Sequence, residues 1–237
     1  MKKHIVVLTG AGMSAESGIA TFRDSGGLWD QYRVEDVATP EGFHKNPQLV
    51  LDFYNKRRKE TLKAQPNDGH TGLVELEKIF NISIITQNVD NLHEKAGSSN
   101  VLHLHGELMK VQSTSNPNLV YTLTPENIEV NIGDKCEKGA QLRPHIVWFG
   151  EAVPAMDNAI KITQQSDIFV IIGTSLNVYP AAGLVNYVPN DVPIYLIDPK
   201  EVKAHKQGIH FIQKGASEGV KELQKILKTT TESKDIL

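Results

Sequence analysis

Gly10-Ala11-Gly12-Met13-Ser14-Ala15-Glu16 follows directly on the apolar run 4–9. The pattern is G-x-G-x-x-A, the tight turn that sets backbone N–H groups against a pyrophosphate at a helix N-terminus. Gly-rich turns with no nucleotide fit it too. The strand-like residues before it and the helix-like Ser14-Ala15-Glu16-Ser17 after it favour the nucleotide. A dehydrogenase built on this turn carries an acid about 20 residues on, closing a second strand. Asp30 has that spacing but follows Gly26-Gly27-Leu28-Trp29 in an irregular stretch, which disfavours hydride transfer. Asp198, closing a later strand, is the candidate for the adenine ribose.

Gln87-Asn88-Val89-Asp90-Asn91-Leu92-His93 lies at the carboxyl end of another strand-like run, where open α/β sheets place ligands. Asn88 and Asp90 can point into one crevice and offer donor and acceptor to a carboxamide such as nicotinamide's. The same residues have a plainer use, with Asp90 or Asn91 capping a helix that begins near Leu92. His103-Leu104-His105-Gly106 ends the next strand, and period 2 puts both imidazoles on one face. A histidine titrating near neutrality suits general-base work. Structural hydrogen bonds or a metal would occupy such a pair equally well, although no Cys or second histidine pair is near in sequence. Tyr54 and Arg57 stand at i and i+3 of a helical stretch and share a face. A guanidinium beside a phenol hydroxyl can pair with a carboxylate through charge-assisted bonds. The alternative is a core tyrosine and a surface arginine.

The elements that must carry these residues alternate. Apolar, β-branched runs predict strands at 4–9, 82–87, 101–104, 146–148, 168–173 and 194–198. Helical period predicts helices at 47–64, 71–80, 153–164, 181–187 and 217–227. An unbroken strand such as Ile168-Phe169-Val170-Ile171-Ile172 needs a sheet covered on both faces. The fold class is therefore α/β, with a doubly wound, mostly parallel sheet. Two stretches break the alternation. Residues 21–45 have no clean period, and a structureless stretch of that length is usually functional. Residues 110–142 are polar and turn-rich, with β-like pieces at 119–123 and 128–132, and predict an inserted small module. The tail after Lys228 is expected to fray.

Composition limits the partners. A formal charge of −3 and a pI near 6.3 give no pull toward nucleic acid or anionic lipid. No apolar run approaches the ~18 residues of a spanning helix, and the short run after Lys2-Lys3 is a poor export signal, so a cytoplasmic location is expected. Cys136, the one cysteine, excludes an intramolecular disulfide and an all-cysteine metal site.

Several ordered segments carry a family resemblance. They are Gly10 to Ile19, Thr21-Phe22-Arg23-Asp24, Gly27-Leu28-Trp29, Gln87 to His93, His105-Gly106-Glu107, Arg143 to Glu151 and Gly173-Thr174-Ser175-Leu176. Together they resemble the sirtuins, NAD-dependent protein-lysine deacylases. The resemblance implies a Rossmann-like large part over about 1–30, 66–109 and 143–237, and a small domain from insertions at about 31–65 and 110–142. NAD and an acylated lysine of a protein substrate would lie in the cleft between them. The turn Gly10, Ala11, Gly12 and Ser14 would bind the pyrophosphate. Phe22, Arg23 and Trp29 would close over the cofactor. Gln87, Asn88 and Asp90 would hold the nicotinamide end, and Gly173, Thr174 and Ser175 the adenosine half. The resemblance implies that the acyl-lysine carbonyl oxygen attacks C1′ as nicotinamide leaves. His105 then takes a proton from the ribose diol, and free lysine and 2′-O-acyl-ADP-ribose follow. Val147 and Phe149 would line the acyl-lysine tunnel, and the chain near 149–151 and 177–179 would pair with the substrate backbone.

Two departures from the family pattern stand out. Most members bind tetrahedral zinc through two Cys-x-x-Cys pairs. Here Ser113-Thr114-Ser115-Asn116 holds the place of the first pair and only Cys136 remains of the second. The expectation is a zinc-free module packed by Leu119, Val120, Tyr121, Leu123, Ile128, Val130 and Ile132. Asp198 stands where the family usually has Asn, and Ala216 would offer a backbone N–H to the adenine. The resemblance also places Tyr54 and Arg57 at the distal end of the acyl pocket, as in sirtuins that remove succinyl and malonyl groups. Two readings compete on the same scaffold: a mono-ADP-ribosyltransferase or NAD glycohydrolase, and a non-catalytic NAD sensor.

Overall fold

The computed structural model describes residues 2–21, 28–202 and 206–232, without the side chains of 28, 29 and 230–232. Six strands form one parallel sheet: β1 (His4–Thr9), β2 (Asn81–Thr86), β3 (Val101–His103), β7 (Ile168–Ile172), β8 (Ile194–Ile197) and β9 (Ile209–Ile212). Their spatial order is β3-β2-β1-β7-β8-β9. Counted within this sheet alone the order is 3-2-1-4-5-6, that of a doubly wound dinucleotide-binding fold. The direction of winding reverses between β1 and β7, so the crevice for a ligand lies beyond their carboxyl ends. Three further strands, β4 (Gly106–Ser113), β5 (Val120–Thr122) and β6 (Leu142–Ile146), form an antiparallel sheet in the order β5-β4-β6.

Period 2 along β1 explains the layering. Ile5 and Val7 face one side, where they meet Leu73, Leu76, Val220 and Leu223 of the helices Asp68–Glu77 and Ala216–Glu232. Val6 and Leu8 face the other side and join Ala159, Leu184 and Val185. Both faces are covered, as the unbroken apolar strands require.

Several expectations are corrected. The strand expected at 146–148 is β6, ending at Ile146, and it belongs to the antiparallel sheet. Strands β4 and β9 went unseen because Lys110, Gln112 and His210 interrupt their apolar character. Residues 28–45 are not irregular but hold three short helices, Leu28–Gln31, Val34–Val37 and Pro40–Lys45. Helices of one turn show no period; the signal for the third was Thr39-Pro40, with the Thr39 hydroxyl accepting from the Gly42 amide at 3.0 Å. The helix at 181–187 is of the 3-10 type.

In the small module the residues 128–132 form no strand, and Val120 and Ile132 are exposed, Ile132 by 54%. Val130 is the buried anchor, packed with Leu51 and Val111. Asn55, on the helix Pro47–Lys63, pairs with both backbone groups of Val130, each at 3.0 Å. Arg58, wholly buried, donates to the Leu108 carbonyl at 2.7 Å and to Asn55 Oδ1 at 2.7 Å. The module is thus fastened to the helix that carries Tyr54 and Arg57.

Candidate active site

A cleft of about 670 Å³ opens at the carboxyl ends of β1 and β7. Its floor is made where two loops touch through backbone. The Gly12 amide donates to the Gly173 carbonyl at 2.9 Å. A Cβ on Gly12 would lie 2.7 Å from Gly173 Cα. Gly173 itself has φ +63°, and a Cβ there would sit 2.3 Å from the Met13 nitrogen. Both glycines are required by this contact before any ligand is considered.

Behind that floor lies a satisfied polar chain. Asn88 Nδ2 donates to the Gly10 carbonyl at 3.0 Å and to Ser14 Oγ at 3.1 Å. Ser14 Oγ donates to Asp90 Oδ2 at 3.0 Å, and Asp90 Oδ1 accepts from the Leu92 amide at 3.1 Å. Since Gly10 offers only an acceptor, the Asn88 amide is oriented with both its hydrogens spent inside the protein. Its Oδ1 remains to accept from a ligand. Asp90 and Ser14 are buried and do not line the cleft, and Asp90 Oδ1 takes the first amide of the helix Leu92–Ala96, whose N-cap position is Asn91. Burial raises the Asp90 carboxyl above its usual value, against the bonds from Leu92 and Ser14.

The two histidines separate. His103 Nδ1 donates to the Asn88 carbonyl at 2.9 Å and Nε2 to Glu94 Oε1 at 2.8 Å. With acceptors at both nitrogens its surroundings favour the imidazolium form. Burial lowers its pKa, but the Glu94 bond outweighs that and the net shift is upward. His105 lines the cleft, and its Nδ1 donates to the Gln87 carbonyl at 3.1 Å. A carbonyl cannot donate, so in the neutral ring Nε2 carries the lone pair. Burial pushes the His105 pKa below 6.5 despite the Gln87 bond, so that lone pair is present at neutral pH.

Tyr54 and Arg57 are both buried and both line the cleft. The Tyr54 oxygen accepts from Trp148 Nε1 at 3.0 Å. Burial raises the Tyr54 pKa and lowers that of Arg57. Arg58, missed in the sequence, sits behind them; its hydrogen bonds go to the Leu108, Asn55 and Ile128 carbonyl oxygens. Its pKa, lowered by burial to about 10, still leaves it charged. Val147 and Phe149 line the same cleft, Phe149 being 43% exposed.

Ala11, Gln87, Thr174, Ser175 and Asp198 also line the cleft, with Gln87 Nε2 donating to Thr174 Oγ1 at 3.1 Å. Ala216 is buried in the core, and its neighbour Gly215 faces the cleft instead. Phe22 and Arg23 lie outside the described residues, as does the side chain of Trp29. Trp148 and Glu16, which also line the cleft, were not singled out as site residues. Trp148 stood in plain view inside the Arg143–Glu151 motif.

The place of the family's zinc is filled by hydrogen bonds. Cys136 Sγ donates to Ser113 Oγ at 3.3 Å, and Ser113 Oγ lies 3.1 Å from Ser115 Oγ. One thiol and two hydroxyls do not fit tetrahedral zinc. Among the described residues no group of three or more His, Cys, Asp or Glu could hold a metal.

The Sir2 family profile matches residues 10–180. An NAD-dependent protein deacylase of Bacteroides thetaiotaomicron is 62% identical over 229 residues, covering 95% of this chain and 98% of that protein. Another, from Helicobacter pylori strain 26695, is 52% identical over 222 residues, covering 93% and 96%. A Sir2 homologue mutant in complex with ADP-ribose superposes with a TM-score of 0.87 at 40% identity, covering 96% of this chain and 94% of that one. The chain belongs to the Sir2 family of sirtuins.

Proposed function

We propose that this member of the Sir2 family, an NAD-dependent protein deacylase, removes acidic acyl groups such as succinyl and malonyl from lysine and also acts on acetyl-lysine. The observation that carries the acidic preference is that Tyr54 and Arg57, both buried, line one cleft and interact electrostatically, with the charged Arg58 close to Tyr54.

The cleft fits NAD. Its volume lies in the range of cofactor sites, and it spans the winding reversal of the sheet where such ligands bind. Bound there, NAD would supply an activated C–N glycosidic bond with nicotinamide as the leaving group. The Gly10–Gly12 loop would approach the pyrophosphate through backbone, and Asp198, with Thr174, Ser175 and Gly215, would hold the adenosine half. Asn88 Oδ1 would accept from the carboxamide or ribose, with Ser14 and Asp90 fixing its orientation. Phe22, Arg23 and Trp29 would close over this end. Val147 and Phe149 would guide the acyl-lysine, leaving its terminus at Tyr54 and Arg57. His105 Nε2 would take a proton from a ribose hydroxyl, and Gln87 would keep the ring in the required tautomer. The products would be nicotinamide, free lysine and 2′-O-acyl-ADP-ribose. A cleft-facing basic nitrogen favours this reading over a glycohydrolase or a sensor, neither of which needs a base at that place.

The test is kcat/KM for matched acetyl-, malonyl- and succinyl-lysine peptides with NAD. The acidic acyl groups are expected to be preferred; acetyl alone being turned over would contradict the preference.

The small module predicts a second result. Structural zinc contributes ~10 kcal/mol or more to folding where present. Dialysis against a strong chelator should leave both melting temperature and deacylation rate unchanged. A fall in either on chelation would show that a metal is needed.

A further inference from the structure

We propose that Trp148 is a positioning residue for acyl selectivity: its indole N–H holds the Tyr54 oxygen as an acceptor and thereby turns the phenol proton into the acyl pocket. The inference rests on the acidic-acyl reading above and names the residue that makes Tyr54 a donor.

An indole Nε1–H donates and cannot accept. At 3.0 Å from Nε1, the Tyr54 oxygen is therefore the acceptor, and its own hydrogen must point elsewhere. Tyr54 makes no other hydrogen bond to the described residues, and it lines the cleft. Burial keeps the phenol protonated, so it presents a donor where a terminal carboxylate would arrive.

The indole is itself fixed. Arg143 stacks on the ring, with Cζ 3.4 Å from its centroid. The same guanidinium grips Glu151 with two bonds of 2.7 and 3.0 Å and donates to the Ile146 carbonyl at 2.9 Å. Glu151 Oε2 also accepts from the Trp148 backbone amide at 2.7 Å. Phe43 packs against the indole, with ring centroids 5.3 Å apart. Both ends of Trp148 are thus held by one ion pair, and the direction of Nε1–H is set by it.

The consequence is specific to charged acyl groups. Without the indole donor, the phenol could rotate its proton away and meet a carboxylate with a lone pair. An acetyl group has no carboxylate to be refused. Trp148→Phe keeps an aromatic ring for Arg143, removes the donor and leaves a smaller ring in a buried place. The two peptides share any packing loss, so the comparison between them is what reads the donor. It is expected to raise KM for a succinyl peptide roughly 10-fold, with kcat changed less than about 2-fold. The acetyl peptide's kcat/KM should fall less than about 3-fold. Tyr54→Phe should reproduce the succinyl loss, and the double variant should be no worse than Tyr54→Phe alone. Glu151→Gln, which leaves the indole in place but loosens its hold, should show a smaller rise in KM with the same selectivity. Additive losses in the double variant, or equal losses on both peptides in Trp148→Phe or Glu151→Gln, would overturn the role of Trp148. A parent enzyme with no desuccinylation would instead overturn the acidic-acyl reading, and this inference with it.

Discussion

His105→Ala is expected to lower kcat/KM for deacylation roughly 10³-fold while NAD binding and the melting temperature stay near those of the parent. A positioned general base contributes about 10²–10⁴-fold, and among the described residues no second imidazole lines the cleft. His103, the nearest in sequence, has both nitrogens committed to Asn88 and Glu94. His93 is buried, and its pKa is pushed well below 6.5 mainly by that burial. The structural loss in the variant is small, since His105 gives the protein a single bond to the Gln87 carbonyl. Turnover measured beside an NAD titration separates the outcomes. Full activity in the variant would remove His105 from the mechanism. The pH profile adds a second readout. Because burial holds the folded pKa of His105 below 6.5, the basic form persists on acidification, and the acid limb of kcat/KM should fall below pH 6.5.

Arg57→Met should reduce desuccinylation roughly 10²-fold, mainly through KM, and deacetylation by less than about 3-fold. Removing one partner of a buried, hydrogen-bonded charge pair costs about 2–5 kcal/mol, because the other charge is left in a poorly solvated place. Arg57 lies in such a place, only 8% exposed, with Tyr54 one turn before it. Methionine keeps the length and packing of the side chain and removes the charge. The acetyl group presents no charge to strand, so its loss is limited to altered packing. Steady-state kinetics on both peptides decides the matter, and equal losses would remove Arg57 from substrate choice.

Much of this architecture was legible in the chain. Strand β1 was read to the residue because its apolar run is bounded by charge on one side and glycine on the other. The positions of His105 and Asn88 were legible because they follow strands whose carboxyl ends must face the crevice, and both line it. What could not be read was set by contacts distant in sequence. Gly12 looked like a phosphate glycine, yet the nearest atoms it must avoid belong to Gly173. The bonds that Asp90 makes inside the protein, from Ser14 and Leu92, could not be read either. The three short helices between 28 and 45 have too few residues for a period to show. Trp148 could not be distinguished from any core aromatic until Tyr54, ninety-four positions away, was placed against it.

The account stands or falls on where the acyl group goes. With NAD and a succinyl-lysine peptide, mass spectrometry of the products should show succinyl-ADP-ribose, nicotinamide and free-lysine peptide in equal amounts. ADP-ribose without an acyl group, or ADP-ribose attached to the peptide while its lysine keeps the succinyl group, would contradict it.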